Sequence, residues 1–344
     1  MAEPPALAIV GGETLLGNDL REVLSESILG TNLKLAGSVE EASVAILSEQ
    51  SGEPVVLTAV DEETLSEARI VFFAGTAEST RKALTRMGKA HPLLIDLTYA
   101  LDDRPEARLR APSAEPPGAV AGISPISVIA HPAAIVLGTF CRRLHAAFPV
   151  QRSVAQIFAP ASEQGRGGID ELQQQTVDLL SFRPAAKRLF DAQLSFNVLA
   201  RYGEEAPIGL EATELRIEKH LATLLAHQQP VPMPSVRVVQ VPVMHGYSIS
   251  LWAELGTSAP VAEIRAALAG NGIDVAAANM SPPDVLSVAG QSGISAGAIE
   301  ADRNNSRAVW CWIVADNYLV SAENAVAVAR SALLERTAPE GGAD

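Results

Sequence analysis

Seven residues near the start of the chain, Gly11-Gly12-Glu13-Thr14-Leu15-Leu16-Gly17, have the composition and spacing to hold an anion. They follow a short apolar run, Leu7 to Val10, and lead into Leu16, Leu20, Val23 and Leu24 at helical spacing. A strand, a glycine turn and a helix in that order aim backbone N–H groups of the helix N-terminus at a phosphate. In the dinucleotide fingerprint the first glycine makes the tight turn, the middle one admits the pyrophosphate and the last allows close helix packing. Gly11 and Gly17 fill the outer positions, whereas Thr14 stands in the middle one. Two readings stay open. The turn is purely structural, because the outer glycines serve the fold with or without a ligand. Or it binds a nicotinamide dinucleotide, with the Thr14 hydroxyl meeting the anion and Gly11, Glu13, Thr14, Leu15, Leu16, Gly17 and Ser38 as the contact set.

Glu40 and Glu41 lie about twenty residues beyond the turn, where a carboxylate would bind a ribose hydroxyl and favour the unphosphorylated cofactor. No arginine stands near to receive a 2′-phosphate. The ordinary reading of the pair is a solvated helix start after Gly37-Ser38. Cys141 and Cys311 are the only cysteines, too few for a disulfide framework or a zinc pattern, so no metal is expected. A formal net charge of −14 without any Lys/Arg run argues against nucleic acid and anionic membranes as partners.

These groups need elements to position them. A chain of 344 residues, 48% hydrophobic and 19% charged, is long for one core and implies two domains. Leu33 to Ala36, Val55 to Val60, Ile70 to Ala74 and Leu93 to Leu97 are further apolar runs, with helical character over Thr80 to Gly88. Strands alternating with helices predict an α/β fold with a mostly parallel, doubly wound sheet of Rossmann type. The pattern changes near residue 130. Long strand-like passages at Val150 to Pro160 and Val236 to Leu255 flank helical stretches at Ile169 to Leu180 and Leu210 to His227. They predict an α+β second domain, and Asn324 to Leu334 reads as a final helix. The expected division is residues 1–131 with 320–344, and 132–319. The longest apolar passage, Ile123 to Phe140, is broken by Pro125, His131 and Pro132, so it is no membrane helix. No signal peptide is recognisable, and a cytoplasmic location is the expectation.

Seven passages in order resemble the aspartate-semialdehyde dehydrogenase family. They are Gly11 to Gly17, Leu94-Ile95-Asp96, Ile129-Ala130-His131-Pro132, Gly165 to Leu172, Gln193-Leu194-Ser195-Phe196-Asn197, Val241-Pro242-Val243 and Ala315-Asp316-Asn317. They span almost the whole chain. The resemblance implies a dinucleotide-binding domain joined to a dimerisation domain, NADP or NAD as cofactor if any is bound, and a homodimer. It also implies reduction of an acyl phosphate to an aldehyde through a cysteine thioester.

The family's catalytic positions are where this chain departs from the pattern. The resemblance places the nucleophile in Asn-Pro-Asn-Cys at a helix start, where the dipole lowers the thiol pKa. Here that segment is His131-Pro132-Ala133-Ala134, and Ala134 takes the cysteine's place. Cys141, seven residues on, is displaced ~10 Å along the helix and reads as an inert packed thiol. The family's histidine in Val-Pro-Val-x-x-Gly-His-Ser is matched by Tyr247, a poor proton shuttle near neutral pH. His245, two residues earlier, would share Tyr247's side of a regular strand and is a conceivable stand-in. Gln240 stands for the arginine that grips the substrate carboxylate. Ala159 aligns with the family's glutamine.

Two functions follow from this pattern. One is a catalytically silent homologue acting as a structural, regulatory or partner protein, with Trp310 and Trp312 serving packing and a subunit interface. The other is an NAD(P)-dependent aldehyde oxidoreductase without a thioester. A small-molecule sensor of unknown ligand is a third class.

Overall fold

The computed structural model describes residues 6–27, 29, 32–37, 47–50, 53–57, 65, 67–87, 92–116, 124–226 and 230–337. The chain divides into two compact units. The first comprises Met1–Pro112, Pro117–Ala130 and Ser321–Asp344, and the second comprises Ser113–Pro116 and His131–Val320.

The first unit begins with β1 (Leu7–Val10), α1 (Leu15–Ser25) and β2 (Leu33–Ala36). A hairpin of β3 (Leu47–Gln50) and β4 (Glu53–Val56) follows, then β5 (Ile70–Phe73), α2 (Ala77–Arg86), β6 (Leu93–Asp96), β7 (Ala107–Arg110) and β8 (Ile126–Ile129). Among the described residues six of these strands form one sheet in the order β2-β1-β5-β6-β8-β7, with every pairing parallel. β1, β5, β6 and β8 are buried along their whole length, which is why they read as unbroken apolar runs rather than alternating ones. Full burial of side chains such as Phe72 and Phe73 contributes about 1.5–3 kcal/mol each. The sheet is doubly wound: the chain steps from β1 to β2 on one side, then places β5 on the other. The Val55 to Val60 run does not join it. β4 ends at Val56 and pairs antiparallel with β3, and residues 58–60 lie outside the described residues. Periodicity also passes over β7, whose Ala-Arg-Leu-Arg lies at the sheet edge where one-sided burial suffices.

The second unit opens with α3 (Pro132–Ala147), β9 (Val150–Ala159), a 3-10 turn (Ala161–Gln164), α4 (Gly165–Leu180) and α5 (Leu210–Leu225). It continues through β10 (Ser235–Gln240), β11 (Tyr247–Leu255), α6 (Val261–Leu268), β12 (Ile273–Val275), α7 (Val285–Val288), β13 (Ile294–Ala301) and β14 (Ala308–Ala315). The final helix, α8 (Asn317–Thr337), starts in this unit. The sheet order is β10-β9-β11-β14-β13-β12. Its three central pairings are antiparallel and the two outer ones parallel, the mixed sheet of an α+β domain. The expected single passage from Val236 to Leu255 is two strands. Pro242, which has no N–H to give a ladder, and Gly246 at φ +87° divide it.

Candidate functional site

The glycine turn sits where its fingerprint requires, between β1 and α1. Gly11 has φ +91°, and a Cβ there would lie 2.4 Å from the Gly75 nitrogen, so only glycine fits. A Cβ on Gly17 would lie 2.1 Å from the Gly11 carbonyl oxygen, which fixes the close helix packing. Thr14 is the N-cap of α1, and its Oγ1 accepts from the Gly17 N–H at 2.9 Å. The same hydroxyl donates to the Ala74 carbonyl (2.7 Å), with the Gly11 carbonyl also in reach at 2.9 Å. Ala74 directly follows β5, so Thr14 spans the gap between the carboxyl ends of β1 and β5, the point where the sheet reverses direction. A pyrophosphate laid along this turn meets a Cβ and an engaged hydroxyl where the fingerprint has bare backbone. The turn therefore does not fit a dinucleotide in the fingerprint's manner. Glu13, Leu15 and Leu16 are partly exposed on the same turn. Ser38, Glu40 and Glu41 lie outside the described residues.

In the second unit, Pro132 sits at the first position of α3, where its missing N–H costs nothing, and His131 caps the helix. Ala133 N–H donates to His131 Nδ1 at 3.3 Å, which leaves Nε2 as the donor to Glu163 Oε1 at 3.0 Å. The other Glu163 oxygen accepts from the Tyr247 hydroxyl. The His131 and Tyr247 rings meet edge to face, 5.9 Å between centroids. Burial pushes the Glu163 carboxyl up, but His131 and the Tyr247 hydroxyl, with Arg216 adding its charge, outweigh it and hold the group below the ordinary carboxylate range. Ala134, one residue beyond the capping pair, is completely buried. Ala134 thus brings a methyl group to the start of α3, and Tyr247 brings a hydroxyl engaged by a carboxylate.

Glu163 was not among the residues picked out from the sequence. The available signal was a charged residue in a short turn between a buried strand and a glycine-opened helix, where charge has to be paired.

Gln240 and Ala159 also come together. Gln240 is fully buried on β10; it accepts from the Tyr202 hydroxyl at 2.6 Å and donates to the Ala159 carbonyl at 2.9 Å. Its amide is engaged by the protein itself. Burial pushes the Tyr202 phenol well up from its ordinary value.

His245 does not lie on a strand, as the spacing had suggested; it sits in the loop before β11. Its Nε2 faces Asp316 Oδ1 at 2.9 Å and its Nδ1 faces Ser162 Oγ at 3.1 Å. Asp316 also accepts from the N–H groups of Gly290, Tyr318 and Leu319. Burial raises its carboxyl, yet the bond to His245, its charge and the N–H groups of Gly290 and Leu319 more than offset that and hold it low. Serine, imidazole and carboxylate in this order have the polarity of a nucleophilic relay. Ser162, however, is only 1% exposed, and Asn317 Nδ2 lies 3.2 Å from its Oγ. With both ring nitrogens of His245 also engaged, the arrangement ties the 3-10 turn and the β11 loop to the start of α8.

Neither thiol reaches this site. Cys141 is buried on α3, and burial pushes its pKa up to about 12. Cys311 pairs with Leu251, four residues along β11 from Tyr247, or about 13 Å away at strand rise. Its thiol is likewise raised by burial, with Cys141 adding to the effect. Among the described residues there is no group of His, Cys, Asp and Glu able to hold a metal, and no helix long and apolar enough to cross a membrane.

A family model described as the semialdehyde dehydrogenase dimerisation domain matches residues 141–320. The USG-1 protein homolog of Pseudomonas aeruginosa is 29% identical over 336 residues, covering 92% of this chain and 94% of its own length. The solved structure of a probable aspartate-semialdehyde dehydrogenase from Pseudomonas aeruginosa has a TM-score of 0.83 at 27% identity, covering 97% of this chain and 99% of its own. A structure of aspartate semialdehyde dehydrogenase II complexed with ASA, from Vibrio cholerae, also has a TM-score of 0.83, over 98% of this chain and 100% of its own. At 23% identity the last likeness is one of fold alone.

Proposed function

Because this chain belongs to the semialdehyde dehydrogenase family, we propose that it is a catalytically silent homologue of aspartate-semialdehyde dehydrogenase, retained as a structural, regulatory or partner protein. The observation that carries this reading is the pairing of a buried Ala134 at the start of α3 with a Tyr247 whose hydroxyl is bound by Glu163. A thioester needs a thiolate, and a methyl group has no lone pair with which to attack. Both cysteines are buried with raised pKa values, the opposite of an activated thiol. Gln240 and Ala159, at the places of the family's carboxylate clamp and glutamine, bond to each other.

In this reading residues 1–131 and 320–344 keep the dinucleotide-binding scaffold, and residues 132–319 form the dimerisation-type domain. The retained role is assembly, as a homodimer through the second sheet. The test is an assay of the purified protein with aspartate semialdehyde, phosphate and either NADP or NAD. A rate equal to the buffer control is expected. Turnover above that control, abolished by Tyr247→Phe or His245→Ala, overturns the proposal.

A further inference from the structure

We infer that Thr14 is a specificity-determining plug, closing the crevice at the sheet's reversal point to nicotinamide dinucleotides. The inference concerns the first unit and stands apart from the silence of the site in the second. The carboxyl ends of adjacent strands where the order reverses are the place a doubly wound sheet offers a ligand. Here that place lies between β1 and β5. The two turns that follow these strands are already in close contact, since a Cβ on Gly11 would lie 2.4 Å from Gly75 N and 2.5 Å from Gly75 Cα. Thr14 then joins them, because its hydroxyl bonds Ala74 beyond β5 while accepting from Gly17 in α1.

An ordinary N-cap needs only the second of these bonds. The first is a tether across the crevice, made through a position that carries a Cβ. A phosphate entering between the turns has to break the tether and displace the methyl group. At the α1 N-terminus the Gly17 N–H is already taken by the Thr14 hydroxyl.

Isothermal titration of the full chain with NADP and with NAD tests this for wild type, Thr14→Ser, Thr14→Ala and Thr14→Gly. Glycine and serine are both tolerated at an N-cap, so the fold is expected to survive, and circular dichroism checks it. Wild type and T14S, which keep the hydroxyl, are expected to give no heat up to about 1 mM of either cofactor. T14G is expected to bind one of them at least about tenfold more tightly than wild type. Wild-type binding at micromolar concentration overturns the inference, as does a folded T14G that binds no better than wild type. Should T14G not fold, T14A, which removes the methyl group and the hydroxyl with both its tether and its cap bond but keeps the Cβ, carries the same two outcomes. Because the readout is binding, failure here leaves the assay of the silent site to be judged by itself.

Discussion

Glu163 is the residue on which the site turns. Its carboxylate accepts from His131 Nε2 and from the Tyr247 hydroxyl, so one charge joins the 3-10 turn, the cap of α3 and the start of β11. Removing one donor to a buried, charged acceptor is costly because nothing replaces it. Tyr247→Phe is therefore expected to lower stability by about 1–2 kcal/mol in urea unfolding. The effect of pH has a definite sign. The folded pKa of Glu163 lies below its unfolded value, so its stabilisation is fully present above the ordinary carboxylate range and is lost as pH falls through the folded pKa. Y247F is expected to shrink the difference in stability between neutral and acidic pH. An unchanged pH profile in that variant would show that the Tyr247 bond does not hold the carboxylate ionised.

At the scale of the element, the β1–α1 turn and the start of α3 are set by different devices. The turn depends on missing side chains, because Gly11 and Gly17 leave room for Gly75 and for the Gly11 carbonyl. Gly17→Ala forces a methyl to within 2.1 Å of a backbone oxygen and is expected to destabilise the fold by about 2 kcal/mol or more, measured by thermal or urea unfolding. A cost below a few tenths of a kcal/mol would mean the turn yields freely. α3 instead relies on a cap and a proline, and ten of its sixteen residues are buried. That burial explains why the helix is apolar all round from Pro132 to Gly138 rather than along one amphipathic face.

For the whole molecule, the second sheet leaves residues of one face uncovered within the chain. Register brings Ser235, Val154, Trp252 and Trp310 into one cross-strand row and Arg237, Gln156, Ser250 and Trp312 into the next. Val154 is 50% exposed and Trp310 45%, large apolar side chains in the first of these rows. A second copy laid on such a face could bury the ~1,600 Å² typical of a stable association. Trp310→Glu is expected to convert a dimer to a monomer in light scattering at micromolar concentration. Wild-type protein running as a monomer, or a variant that stays dimeric, would remove this face as the interface.

Local pattern was enough for much of this protein. Buried parallel strands announce themselves as apolar runs, and α1, α2 and α5 as helical spacing, because both follow from which face meets water. Ala134 and Tyr247, where the resemblance sets the family's cysteine and histidine, can be picked out in the sequence because motif spacing is covalent. Tertiary structure alone decided the partners. Glu163 bonds to residues 32 positions before it and 84 after it, Thr14 reaches a carbonyl 60 positions away, and His245 leaves the expected strand for a loop anchored by Asp316. A hydrogen bond is set by distance in space and by burial, and neither is written in the spacing of residues along the chain.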